Sequence, residues 1–160
     1  MAENIVVQWQ NSYSVGIKLI DEQHMALFKL TNKLFANCMA GREQSKNTFL
    51  DIIHEAVDYV NYHFSTEENL LGRVNYPDLA NHKSLHSDFI KEILIKVQEF
   101  NEGKVLAPLS FMYFLRDWIL HHIAVCDKKY GDYLINMKKS GELQKIAAKV
   151  KEEQESGRSS

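Results

Sequence analysis

The sequence predicts an all-α protein, and two observations predict it. Four segments carry apolar residues at alternating steps of three and four, the spacing that lines one face of an α-helix. Each segment is bounded by glycine, proline or a short polar run. A third observation sets the scale: 160 residues at 45% hydrophobic and 25% charged content suit one domain with an ordinary core and a modest extension.

Residues 1–19 read as an irregular arm, in which Trp9 and Gly16 punctuate a short β-prone stretch that is expected to lie across the helices. Asp21 suits an N-cap, and Ile20, His24, Leu27, Thr31, Leu34 and Cys38 then give a first helix to about Ala40. Gly41 and the polar run 42–47 form a loop. The second helix, about Thr48 to Leu71, carries Phe49, Ile53, Ala56, Val60 and Leu70 on its inner line, and Gly72 is expected to end it in the left-handed position. Pro77 suits the first turn of a third helix, whose face holds Leu79, His82, His86, Phe89, Ile93, Val97 and Phe100 before Asn101-Glu102-Gly103 breaks the pattern.

The fourth helix, about Leu106 to Lys139, runs through Met112, Leu115, Ile119 and His122, then resumes at Asp127, Tyr130, Leu134 and Met137. The step from His122 to Asp127 is five residues, which on a regular α-helix turns the side chain by ~140°. A one-turn π-bulge restores the phase, and such bulges favour functional sites. The alternative is an unbroken stripe through Ile123, Cys126, Tyr130 and Tyr133, with Asp127 reaching inward from its flank. Residues 140–160 form an extension in which Leu143, Ile146, Ala147 and Val150 make a weak apolar line. A short helix is expected there, folding back or serving a protein partner or oligomer contact, and the tail from Glu155 to Ser160 has the composition of a disordered end.

Net charge is −2, which leaves no electrostatic footprint for nucleic acid or for an anionic membrane surface. The amino terminus lacks a signal-peptide pattern and no apolar run approaches spanning length, so a soluble, cytoplasmic protein is expected. Cys38 and Cys126 form no Cys-x-x-Cys pair and are expected to be buried thiols.

Chemistry concentrates on the inner lines. His24, His63, His82, His86 and His122 all fall there, as do Glu67 and Asp127. Any one inward histidine has an ordinary explanation as a hydrogen-bonded core residue. A carboxylate one turn beyond His63 on the same buried line is harder to explain, because an ionised Glu67 in the core needs either a proton or a cation beside it. A cation with imidazole ligands points to a transition metal. The spacing of His82 and His86 puts two imidazoles on adjacent turns, within reach of one ion. His54 lies ~180° around its helix from His63 and His121 ~100° from His122, so both are expected outside the cluster. Trp118, Phe64, Ile119 and Ile123 are expected to pack in the core and to wall the site.

The set His24, His63-Phe-x-x-Glu67, His82-x-x-x-His86 and His122-Ile-x-x-x-Asp127, with Val15-Gly16-Ile17-x-x-Ile20-Asp21-x-Gln23-His24, resembles the hemerythrins, specifically the bacterial ones. The resemblance runs from about Trp9 to Tyr133. It implies an antiparallel, up-down-up-down four-helix bundle over residues 20–139, holding a non-haem di-iron centre: two iron ions, ferrous or ferric, with a bridging oxo or hydroxo group. By that resemblance His82, His86 and His122 bind one iron, His24 and His63 the other, and Glu67 and Asp127 bridge both. The iron with two histidines then keeps a position open for dioxygen, and Ile119, Trp118 and Phe64 are the expected pocket wall.

The expected function is reversible dioxygen binding, for carriage, storage or sensing, without enzymatic turnover. A di-iron oxidase or ferroxidase is the alternative. Carboxylate-rich oxygen-activating bundles are marked by Glu-x-x-His pairs, and this chain has only Asp-x-x-His, at Asp21-His24 and Asp51-His54. A structural zinc site is disfavoured, because seven ligands exceed what a tetrahedral ion takes.

Overall fold

The computed structural model describes residues 6–39, 46–104 and 107–148. Five helices account for most of them: α1 (Lys18–Met39), α2 (Lys46–Arg73), α3 (Leu79–Asn101), α4 (Ala107–His121) and α5 (Lys128–Ser140). A π-helical segment, His122–Asp127, joins α4 to α5 without leaving helical backbone, so the three form one rod. α1 packs on α2 and α4, and α3 packs on α2 and α4, which closes an antiparallel four-helix bundle. A further short helix, α6, covers 142–148.

The helix ends depart from the sequence reading in three places. Asp21 is no N-cap: α1 starts at Lys18, and Asp21 in its first turn takes the Ser14 hydroxyl at 2.6 Å and the Val15 N–H at 2.8 Å, tying down the arm. Gly72 stays inside α2, which ends at Arg73, and the left-handed residue is Asn75, with φ of 50°. The Tyr76 N–H bonds Leu71 O at 2.9 Å and the Asn75 N–H bonds Gly72 O at 3.2 Å, the paired closure of a Schellman motif. Asparagine tolerates that conformation, and ending there lets Val74 bury. Pro77 precedes α3, which begins at Leu79 after Asp78.

The arm is stitched to the bundle by side chains. Asn32 accepts the Val6 and Val7 N–H groups and donates to Val7 O, while Lys128 Nζ reaches Ser14 O at 2.6 Å. Gly131 makes the close approach possible, since a Cβ there would lie 2.9 Å from Val15 O.

Apolar burial divides into two clusters. One gathers Leu27, Phe28, Leu34, Ile53, Val60, Phe64, Phe89, Ile93, Leu115, Ile119 and Ile123; the other gathers Val15, Ile20, Leu71, Val74, Tyr130, Leu134 and Met137. In every helix of the bundle the expected polar residues fall between the two, so a polar layer is sealed at both ends. Leu143 and Ile146 of α6 turn onto the second cluster, so this part of the extension folds back on the bundle. Val150 and the tail from Glu155 lie outside the described residues. Cys38 and Cys126 are half-buried rather than buried, because one sits in the last turn of α1 and the other on the flank of the π segment. Among the described residues no helix is long and apolar enough to cross a membrane.

Candidate metal centre

All seven inward polar residues are buried, each at 3% exposure or less. α1 supplies His24, α2 supplies His63 and Glu67 one turn apart, α3 supplies His82 and His86, and the π segment supplies His122 and Asp127 at its two ends. The widened turn puts these last two on one side of the helix, as the five-residue step requires. His54 and His121 are exposed, as expected.

Each carboxylate divides its oxygens between two groups of imidazoles. Glu67 Oε1 faces His24 Nε2 at 3.5 Å and His63 Nε2 at 3.6 Å, while its Oε2 faces His82 Nε2 at 3.4 Å and His86 Nε2 at 3.3 Å. Asp127 Oδ2 lies 3.2 Å from His24 Nε2, and its Oδ1 lies 3.2 Å from His122 Nε2 and 3.6 Å from His82 Nε2. The ligating atoms form two overlapping sets, Glu67 with His82, His86 and His122, and His24 with His63, Glu67 and Asp127, each within 4.8 Å of one another.

Protein groups alone do not satisfy this arrangement. Both carboxylate oxygens of Asp127 and both ring nitrogens of His24 are buried without a hydrogen bond, although they approach one another closely. His86 Nε2 and His122 Nε2 stand 3.0 Å apart and can share one proton at most. Burial lowers the His24 imidazole, but Asp127 and Glu67 more than offset this and push it up to about 9. At His63 burial prevails over Glu67 and holds the ring at about 4. Burial pushes Asp127 up to about 6, reinforced by Glu67. Burial opposes ionisation of Glu67 too, yet the surrounding imidazoles, His63 first and then His24, His82 and His86, hold it well below the usual carboxylate range. Two acids and five imidazoles thus compete for too few protons in a dry space, which is the condition a pair of cations relieves. Five nitrogens with two carboxylates are donors that suit iron.

Three further residues orient the cluster. Gln23 accepts from His63 Nδ1 at 2.9 Å, and its amide nitrogen faces Thr66 Oγ1 at 3.4 Å, which fixes which way the amide points. His86 Nδ1 meets Glu68 Oε1 at 2.9 Å. The Tyr130 hydroxyl, buried under the second cluster, donates to Glu67 Oε1. The sequence reading placed Tyr130 on the inner stripe, quoted Gln23 as part of the resemblance without giving it a role, and did not single out Glu68. Gln23 and Glu68 both sit beside a cluster residue, ~100° around the helix, where only packing reveals the neighbour they meet.

Of the expected wall residues, Phe64 stacks on His86 at 3.6 Å and 3°, and Trp118 stacks on His122 at 4.1 Å and 14°. They cover the end of the cluster away from His24. Ile119 is buried in the same apolar cluster, and Trp9 of the arm lies 6.4 Å from the His24 ring.

Residues 15–134 match the hemerythrin HHE cation binding domain. A bacteriohemerythrin of Clostridium acetobutylicum is 33% identical over 135 residues, covering 78% of this chain and 98% of that protein. A hemerythrin-like protein of Naegleria gruberi is 31% identical over 126 residues, covering 79% and 92%. A crystal structure of wild-type hemerythrin superposes with a TM-score of 0.71 at 26% identity, covering 79% of this chain and 96% of that one. The family match thus spans every residue of the buried cluster, and the chain belongs to the hemerythrin family, whose members bind non-haem iron in oxygen-related roles.

Proposed function

We propose that the seven buried residues hold two irons and that the protein binds dioxygen reversibly, as a carrier, store or sensor and not as an enzyme. The observation that carries this reading is the division of each carboxylate's two oxygens between two sets of imidazoles. On this reading Glu67 and Asp127 span the pair, His82, His86 and His122 hold one iron, and His24 and His63 hold the other. When bound, such a pair supplies two electrons and, at the end with two histidines, an open coordination position for dioxygen.

The protein's part is to position and to exclude water. Tyr130 holds Glu67 by its hydroxyl, and Gln23 turns the inner nitrogen of His63 toward the site by accepting the hydrogen bond of the outer N–H. Phe64 and Trp118 shield His86 and His122 at the end away from His24, which leaves Ile119 as the expected wall residue for the open position, and a dry wall there disfavours the charge separation that would release reduced oxygen species. The carboxylate count supports binding over turnover, because among the described residues two acids, Glu67 and Asp127, are buried in the layer.

Metal analysis joined to an optical spectrum, taken anaerobically and then in air, tests this. Two irons per chain are expected. Glu67→Ala and Asp127→Ala should each lose the pair while circular dichroism stays helical, since the two apolar clusters are untouched. An intact two-iron spectrum in either variant contradicts the bridging roles.

A further inference from the structure

Five imidazoles turn Nε2 inward, and the structure treats three of the outer nitrogens differently. His24 Nδ1 is buried without a partner, His63 Nδ1 meets the neutral amide oxygen of Gln23, and His86 Nδ1 meets the carboxylate of Glu68. A carboxylate only accepts, so the Nδ1 of His86 carries the proton and donates it. Glu68 is itself anchored. Its second oxygen lies 3.4 Å from Lys83 Nζ, and its side chain is 25% exposed, so it bridges from a surface cation to the buried ring, which its first oxygen reaches. Phe64, stacked flat on His86, fixes the plane of the ring, and Glu68 fixes its rotation.

We infer that Glu68 is a positioning residue that sets the tautomer and orientation of His86, and so makes the end of the centre held by His82, His86 and His122 the more electron-rich of the two. The inference rests on the proposal that these residues hold iron. An imidazole whose outer N–H is taken by a carboxylate is a more basic ligand than one bonded to an amide. The negative charge also favours the higher oxidation state of an ion one ring away, through an interior that screens weakly. Lys83, 51% exposed, offsets part of this from the solvent side. The neutral Gln23 does the equivalent orienting work on His63 without adding charge, so the two ends are unequal in electron donation as well as in histidine count.

Glu68→Gln separates the two roles, since an amide keeps an acceptor oxygen for His86 and removes the charge. Wild type and variant, both iron-loaded, are compared by spectroelectrochemical titration. The variant should keep two irons and its helicity. At a fixed potential its ratio of reduced to oxidised iron should rise about tenfold, about 59 mV for a one-electron couple. Both irons with an unchanged potential overturn the role of Glu68. Nitrogen NMR of the metal-free wild type decides the matter should the variant fail to hold metal: His86 is expected protonated at Nδ1, and a proton at Nε2 alone overturns the assignment. Failure of the wild type to take up two irons strikes at the reading of the centre itself, and the tautomer measurement still judges Glu68.

Discussion

Ile119 is 1% exposed and lies one helical turn before His122, where a polar side chain would bring water or an unpaired amide into the dry layer. Ile119→Asn should keep both irons and the helical fold, cost about 1–3 kcal/mol in stability, and speed autoxidation about tenfold or more. Stopped exposure to air followed by the optical spectrum measures this, and a variant as durable as wild type contradicts the pocket role of Ile119. The same scale shows what the sequence could reveal. His63 and Glu67 were legible because a helix period places them on a line that must be buried, and a buried acid demands a partner. Gln23 and Glu68 were not, because nothing in their spacing says which imidazole of another helix their side chains meet. Phe64 and Trp118 were legible as buried aromatics, whereas their stacking on His86 and His122 depends on how α2, α3 and α4 are set against one another.

Among the elements, the rod formed by α4, the π segment and α5 is where local regularity yields most to the site. A five-residue step between two inward residues left two readings open in the sequence, and the π turn from His122 to Asp127 resolves them in favour of the bulge. The arm was expected to lie across the helices, but its close approach to α5 at Gly131 was not legible, since a helical glycine carries no sign of its neighbour. Gly131→Ala gains about 1 kcal/mol of helix propensity. The new Cβ, however, would meet Val15 O at 2.9 Å and Val15 Cβ at 3.1 Å. Val15 has little room to retreat, because Asp21 holds its N–H and Lys128 holds the carbonyl before it. Overpacking of this kind costs about 1–3 kcal/mol, so the variant should melt below wild type in a thermal scan, and its arm should become the first segment cut by limited proteolysis. A higher melting temperature with a protected arm contradicts this account. Helix ends were less legible than helix middles: Gly72 invited a left-handed cap, and Asn75 provides it three residues on because Val74 gains burial.

For the whole molecule, two apolar clusters enclose one polar layer, and the layer is where most of the unsatisfied chemistry gathers. The bundle therefore does not depend on the metal for its hydrophobic stability, and the extension does not depend on the layer. Deleting residues 141–160 removes Leu143 and Ile146 from the second cluster, a loss of about 1–3 kcal/mol readable by urea denaturation, while iron content and oxygen binding stay at wild-type level. Loss of iron on truncation would show that α6 closes the site. The central claim is reversible dioxygen binding, and repeated gas cycling of the iron-loaded protein tests it most directly. The spectrum should change on air, return to its anaerobic form when oxygen is removed, and do so over many cycles without added reductant. Stoichiometric peroxide and a centre that stays oxidised after the first exposure would contradict it.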